Sequence, residues 1–134
     1  MIDINVAGIP EVKQYLKNVS IAATKSMPIG LAKASIFVQG EVKKSIAGHA
    51  AEPQSVDTGR FLNSVGIGTN NKDQAVVYSS LSYAKKLEYG FRGFTGRKHF
   101  ENSGHRSKNR VEEIISKELK KQVNSVKASV TKIV

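Results

Sequence analysis

The sequence contains no cysteine and no long apolar run, and each absence excludes classes of protein. Without cysteine there is no disulfide framework, no thiolate zinc site and no thiol nucleophile. No apolar run approaches the roughly 20 residues that a membrane-spanning helix needs. The first residues also lack the basic segment and apolar stretch of a secretory signal. We therefore expect a protein that assembles in a reducing cytoplasm and has no membrane segment.

Motifs for catalysis and for binding metals or cofactors are also lacking. His99 and His105 lie six residues apart, a spacing that fits neither a zinc finger nor a helical zinc pair. No serine motif has a plausible partner arrangement, and the glycines match neither the dinucleotide-binding fingerprint nor the P-loop. We therefore predict no catalytic residue, no cofactor and no metal, and expect His49, His99 and His105 to be isolated surface residues.

The length and the charge suggest one basic domain. A chain of 134 residues is of the usual size for a single domain, so we assign residues 1–134 to one unit. The formal net charge is +10, and residues 83–134 carry thirteen basic and five acidic side chains. This excess of positive charge in the C-terminal part of the chain suggests a polyanionic neighbour, either nucleic acid or an acidic protein surface. The alternative is a solvated helix face that keeps the protein soluble.

The first half of the chain is predicted to be mainly helical. Residues 2–6 alternate apolar and polar side chains, which indicates a short strand. Apolar residues at spacings of three and four then predict helix over residues 10–47. Pro28 divides this segment into two helices or kinks one long helix. Residues 48–56 have no periodicity and are predicted to form an exposed loop.

A β-hairpin and a short helix are predicted in the middle of the chain. Asp57 or Thr58 is suited to capping a short helical turn. Residues 64–69 and 74–80 read as two strands on either side of a polar turn, so an antiparallel hairpin is expected. A short helix should follow and end at Gly90.

A long C-terminal helix completes the predicted fold. The helical pattern starts at about Ser107, and Asn109 with Glu112 resembles a capping box, which places the helix start nearer Val111. The fold class expected is α+β. A small antiparallel sheet, with residues 2–6 as a further candidate strand, is packed by N-terminal helices and the long C-terminal helix.

Residues 90–97 are the most unusual segment, with three glycines, two phenylalanines and two arginines. Glycine favours mobility, whereas aromatic rings contribute large contact areas, so we predict that Phe91 and Phe94 form an exposed assembly contact. Glu88 is expected to pair with neighbouring cations. Six cations are predicted to form a basic surface around the start of the last helix: Arg92, Arg97, Lys98, Arg106, Lys108 and Arg110. Arginines with interleaved phenylalanines also suit phosphate contacts and base stacking.

Three segments resemble one family of phage proteins. Residues 56–65 (VDTGRFLNSV) resemble the family's V-D-T-G-x-L-x-x-S-I motif, and residues 82–90 (SYAKKLEYG) resemble its Y-A-x-x-V-E-x-G motif. Residues 97–100 (RKHF) are similar to the R-P-F-L-x-P-A-L segment that leads into its last helix, although Lys98 and His99 replace the usual proline. The family comprises neck and tail-completion proteins of siphoviruses. With the N-terminal elements, the resemblance covers nearly the whole chain.

The resemblance implies a non-enzymatic structural component of a tailed-phage or prophage particle, which takes part in tail completion and head–tail joining. It also implies a homo-oligomeric ring, contacts with other neck or tail proteins, assembly in the host cytoplasm and a final location in the virion. Contact with DNA is expected to be non-specific. The alternative is a basic nucleic-acid-binding protein of a mobile element.

Overall fold

The computed structural model describes residues 10–71 and 74–131. Within them, two long helices pack along each other and carry a small antiparallel sheet, so the α+β class is confirmed. The strand predicted at residues 2–6 lies outside the described residues. The elements in chain order are α1 (Pro10–Ile46), α2 (Arg60–Asn63), β1 (Val65–Asn71), β2 (Gln74–Ser79), α3 (Ala84–Tyr89), β3 (Gly90–Phe91), β4 (Phe94–Thr95) and α4 (His99–Thr131).

Helix α1 is a single helix, about 55 Å long at the standard rise of about 1.5 Å per residue. Pro10 starts it, at a position where the missing N–H costs nothing. Pro28 lies inside it, so of the two predicted alternatives the single long helix is confirmed. None of the described helices is long and apolar enough to cross a membrane.

Small residues allow α1 and α4 to approach closely. Ala22, Ser26, Gly30 and Ala34 recur every four residues along one side of α1, and all four are buried. A Cβ atom added at Gly30 would lie 3.4 Å from the Cα atom of Ile115 on α4. The helix–helix contact therefore depends on the absence of side-chain bulk at this point of α1.

The hydrophobic core lies where α1 ends. Val42 and Ile46 from its last turns meet Phe61 of α2 and Val65 of β1. Partly buried residues of the sheet, α3 and α4 surround this cluster, among them Phe100. The core therefore joins the short elements to the C-terminal end of α1 and to the N-terminal end of α4.

The predicted β-hairpin is confirmed. Strands β1 and β2 pair antiparallel from Val65 opposite Ser79 to Asn71 opposite Gln74. The predicted short helix is also confirmed, because α3 ends at Tyr89 and Gly90, whose φ of 92° suits glycine, is its C-cap.

The predicted start of α4 and the predicted cap of α2 are wrong. Helix α4 begins at His99 instead of near Val111, so the proposed capping box lies inside the helix. Helix α2 is preceded by Gly59 in a left-handed conformation with φ of 83°, and this residue takes the N-cap position in place of Asp57 or Thr58. The Thr58 hydroxyl only accepts a long hydrogen bond of 3.4 Å from the Arg60 backbone N–H.

Candidate assembly surface

The segments that carry the sequence motifs meet around one groove. Residues 56–61 form one wall, α3 forms another, and the segment from β4 to the start of α4 closes the end. The groove has a volume of about 440 Å³. It is lined by Gln54, Ser55, Val56, Asp57, Thr58, Gly59, Arg60, Phe61, Tyr83, Leu87, Phe94 and Arg97.

Glu88 caps the N-terminus of α4 from the end of α3. Its carboxylate accepts hydrogen bonds from the backbone N–H of Phe100, at 2.7 and 3.1 Å, and of Glu101, at 3.3 Å. First-turn N–H groups have no partner within their helix, and the positive end of the helix dipole favours an anion. Burial raises the pKa of Glu88, and the hydrogen bonds from the two N–H groups oppose this rise. The predicted salt bridge is therefore wrong, and the cap explains why α4 begins at His99.

His99 lies at the centre of a buried hydrogen-bond network. Its Nδ1 atom lies 2.7 Å from the Ser45 hydroxyl, and its Nε2 atom lies 2.7 Å from the Ser55 hydroxyl. Ser45 donates its one proton to Glu52 Oε1 at 2.5 Å, so Nδ1 donates to Ser45, and in the neutral ring Nε2 accepts from Ser55. Burial lowers the pKa of His99, and the charge of Arg97 lowers it further although Glu52 acts to raise it. Burial and Arg97 thus both favour the neutral ring.

The prediction of isolated surface histidines is wrong for His99, which is fully buried, whereas His49 and His105 are exposed. The Ser45 hydroxyl beside the ring is also fully buried and out of reach of a substrate. We therefore interpret this network as a structural joint between α1, the loop and α4. Within residues 10–71 and 74–131, no cluster of His, Cys, Asp and Glu side chains could hold a metal ion.

Glu52 fastens the loop after α1 to α4. The Arg106 guanidinium donates two hydrogen bonds to its carboxylate, at 2.8 and 2.7 Å, and Asn102 donates a third at 3.3 Å. The hydrogen bonds from Arg106 lower the pKa of Glu52 to about 2, with smaller contributions from Ser45 and Asn102 and against the cost of burial. The loop over residues 48–56 was predicted to be exposed. This is wrong at Glu52, which is buried because α4 supplies its partners.

The glycine-rich segment forms a small hairpin folded against α3. Strands β3 and β4 pair Phe91 with Phe94. The backbone N–H of Arg97 donates to the Leu87 carbonyl at 2.8 Å. A Cβ atom at Gly96 would lie 2.4 Å from the carbonyl carbon of Tyr89, so only glycine fits this contact. The hairpin is thus held in one position by its backbone.

Four aromatic rings remain exposed at this end of the protein. The exposed fractions are 71% for Tyr89, 47% for Phe91, 39% for Phe94 and 38% for Tyr83. The exposure expected of Phe91 and Phe94 is present, while their role as an assembly contact remains a prediction. We define the aromatic–basic surface as these four rings with the four exposed cations beside them: Tyr83, Lys85, Lys86, Tyr89, Phe91, Arg92, Phe94 and Lys98.

The cations of this region lie over the rings. The Lys86 Nζ atom is 4.5 Å from the centre of the Phe91 ring, and the Arg92 guanidinium carbon is 5.1 Å from it. The Arg97 guanidinium carbon is 5.4 Å from the centre of the Phe94 ring. Arg97 also donates hydrogen bonds to the Gln54 carbonyl and, at 3.1 Å, to the Ser55 hydroxyl.

The six cations predicted to form one basic surface have different environments. Arg106 is bound to Glu52, and Arg110 pairs with Glu113 at 2.8 Å on the exposed side of α4. Arg97 is held by the loop at residues 54–55. The other three are exposed: Arg92, Lys98 and Lys108.

The comparisons with known proteins identify the family. Residues 11–90 match the HK97-gp10-like family, whose description reads "Bacteriophage HK97-gp10, putative tail-component". The match runs from α1 to the end of α3, more than half of the chain, and includes two of the three motif segments. Neither the curated proteins nor the solved structures give a significant match. The chain therefore belongs to the HK97-gp10-like family of phage tail components, which makes it a structural protein of the virion.

Proposed function

We propose that this protein takes part in tail completion and head–tail joining, and that residues 1–134 act as one non-enzymatic unit in a ring of identical copies. The observation that carries the proposal is the meeting of the three motif segments around one groove bordered by exposed rings. Large exposed apolar side chains gathered at one place are typical of a protein–protein contact.

The hydrogen bonds that connect the elements beneath the exposed rings favour this function. The network through His99 and Glu52 joins the loop, α1 and α4, and Glu88 joins α3 to α4. Side chains that are already positioned lose less conformational entropy when they bind a partner. The surface is therefore arranged for contact before assembly. The ring would assemble in the host cytoplasm. It would contact other neck or tail proteins and make non-specific contact with DNA.

The experiment replaces Phe91 and Phe94 with serine together. The purified variant is added to heads and tails produced without this protein, and joined particles are counted. Both rings are substantially exposed, so we expect folding stability to fall by no more than about 1 kcal/mol. We expect joining to fall below about one tenth of the wild-type level, since aromatic residues carry much of the energy of an interface.

The matched control is Ile36→Ser, which removes an apolar side chain that is 62% exposed on α1, outside the aromatic–basic surface. Joining should stay at the wild-type level with this variant. Wild-type joining by the Phe91→Ser, Phe94→Ser protein would contradict the proposed role of the surface. If this double variant unfolds in solution, the two rings belong to the core.

A further inference from the structure

The aromatic–basic surface has an unbalanced charge. Among residues 83–98 the one carboxylate is Glu88, and it is buried against the backbone of α4. Within the described part of the chain, none of the four cations of the surface forms an ion pair: Lys85, Lys86, Arg92 and Lys98. This carboxylate lies at the positive end of the α4 dipole and offsets it, and it forms no ion pair with the cations of the surface. A partner that covers this surface must therefore bring negative charge.

We propose that the aromatic–basic surface binds the acidic face of a different protein of the particle, one that presents carboxylates beside apolar side chains. This inference rests on the proposed function and adds the chemistry of the partner. Apolar groups of the partner would cover the exposed rings, and its carboxylates would pair with the cations. Complementary charge of this kind mainly sets the partner and the rate of encounter.

At Phe91 and Phe94, the positions of the cations favour a protein over nucleic acid. Binding of single strands by aromatic residues requires an open ring face on which a base can stack. Lys86 and Arg92 both lie over the Phe91 ring, and Arg97 lies over the Phe94 ring. A carboxylate can pair with these cations while they stay over the rings.

The distribution of acids disfavours a second copy of this chain as the partner. The chain has a formal net charge of +10. Among the residues whose exposure is described, the exposed carboxylates are those of Asp57, Glu101, Glu112 and Glu113, and Glu113 is paired with Arg110. These scattered acids provide no patch that could neutralise four neighbouring cations. Copies of this chain would meet through another surface.

Binding of defined probes to the full chain tests the inference. The probes are a random copolymer of glutamate and tyrosine, polyglutamate of equal charge, and short single-stranded and duplex DNA. At about 0.15 M salt, where exposed charges are screened beyond about 8 Å, we expect the copolymer to bind at least about tenfold more tightly than any other probe. The reason is that the copolymer alone supplies both carboxylates and rings.

Charge variants locate the binding. The pair Lys86→Glu, Arg92→Glu should weaken copolymer binding at least about tenfold, because opposite charges at an interface become like charges. The matched control, Lys120→Glu with Lys121→Glu, makes the same charge change at exposed positions far along α4 and should change the Kd less than about threefold. If the first pair does not fold, Lys86→Gln with Arg92→Gln takes its place, with a smaller loss expected.

Three results would contradict the inference: no binding of the copolymer, DNA binding as tight as copolymer binding, or equal weakening by the control pair. None of these results bears on head–tail joining itself. If the serine variants at Phe91 and Phe94 stop joining while the copolymer does not bind, the proposed function stands and the acidic partner is wrong. If the copolymer binds as expected while those variants join normally, the surface binds an acidic partner but its proposed role in head–tail joining is wrong.

Discussion

Replacing Arg106 with methionine should destabilise the protein through the charge of Glu52. The change keeps most of the side-chain length but removes both hydrogen bonds to the buried carboxylate, which are 2.8 and 2.7 Å long. The pKa of Glu52 falls from 4.5 to about 2 in the folded protein, mainly because of Arg106. At about 1.4 kcal/mol for each pKa unit, this corresponds to about 3 kcal/mol. Because Arg106 itself is 38% exposed, we expect a loss of about 2 kcal/mol at pH 7.

The lowered pKa of Glu52 also predicts how the effect of Arg106→Met on stability changes with pH. A carboxyl group with a lowered pKa in the folded state contributes stability above its unfolded pKa of about 4.5, and this contribution is lost as the pH falls towards 2. The difference in unfolding free energy between wild type and Arg106→Met should therefore shrink to below about 1 kcal/mol at pH 3. Urea denaturation at the two pH values measures it.

The control for Arg106→Met is Arg110→Met on the next turn of α4. Its ion pair with Glu113 is exposed on both sides, so removal should cost less than about 0.5 kcal/mol. A cost for Arg106→Met as small as that of the control would refute the structural role of the Glu52 contact. A difference from wild type that stays constant between pH 7 and pH 3 would refute its electrostatic origin.

Three further changes test the contacts that hold the elements beneath the aromatic–basic surface. Glu88→Ala should cost about 1–2 kcal/mol in urea denaturation because α4 loses its cap, and Glu88→Gln, which keeps an acceptor, should cost less. Wild-type stability should fall as the pH drops below about 6.5, because His99 binds a proton more readily in the unfolded state than in the folded protein, where it is buried. His99→Gln should flatten this part of the plot of unfolding free energy against pH. Gly96→Ala should lower the Tm more than Gly93→Ala, since a Cβ at Gly96 would lie 2.4 Å from backbone whereas Gly93 has open space and only its φ of 83° is unfavourable.

Local patterns predicted the elements whose signals lie within a few residues. The alternation around the polar turn predicted the β1–β2 hairpin, and the spacing of apolar residues predicted α1. The start of α4 was missed because Glu88, eleven residues before His99, supplies the cap from another helix. Capping rules consider residues near the helix start in sequence, and they pointed to Asn109.

The buried network was missed for a similar reason. The hydrogen bonds of His99 reach Ser45, which lies 54 positions away in sequence, and Glu52 is equally far from Arg106. The local sequence around a polar loop residue does not indicate that a helix distant in sequence will bury it. The one available signal concerned the cap of α4 and not this network: Glu88 takes the glutamate position of the Y-A-x-x-V-E-x-G motif, and a polar residue at a fixed place in a motif can have a structural role.

The most direct test of the account is deletion of the gene from a phage that encodes this protein, followed by electron microscopy of the particles. We expect DNA-filled heads and separate tails, and we expect addition of the purified protein to restore joined, infectious particles. Infectious particles at the wild-type level without the protein would contradict the central claim that it joins heads to tails.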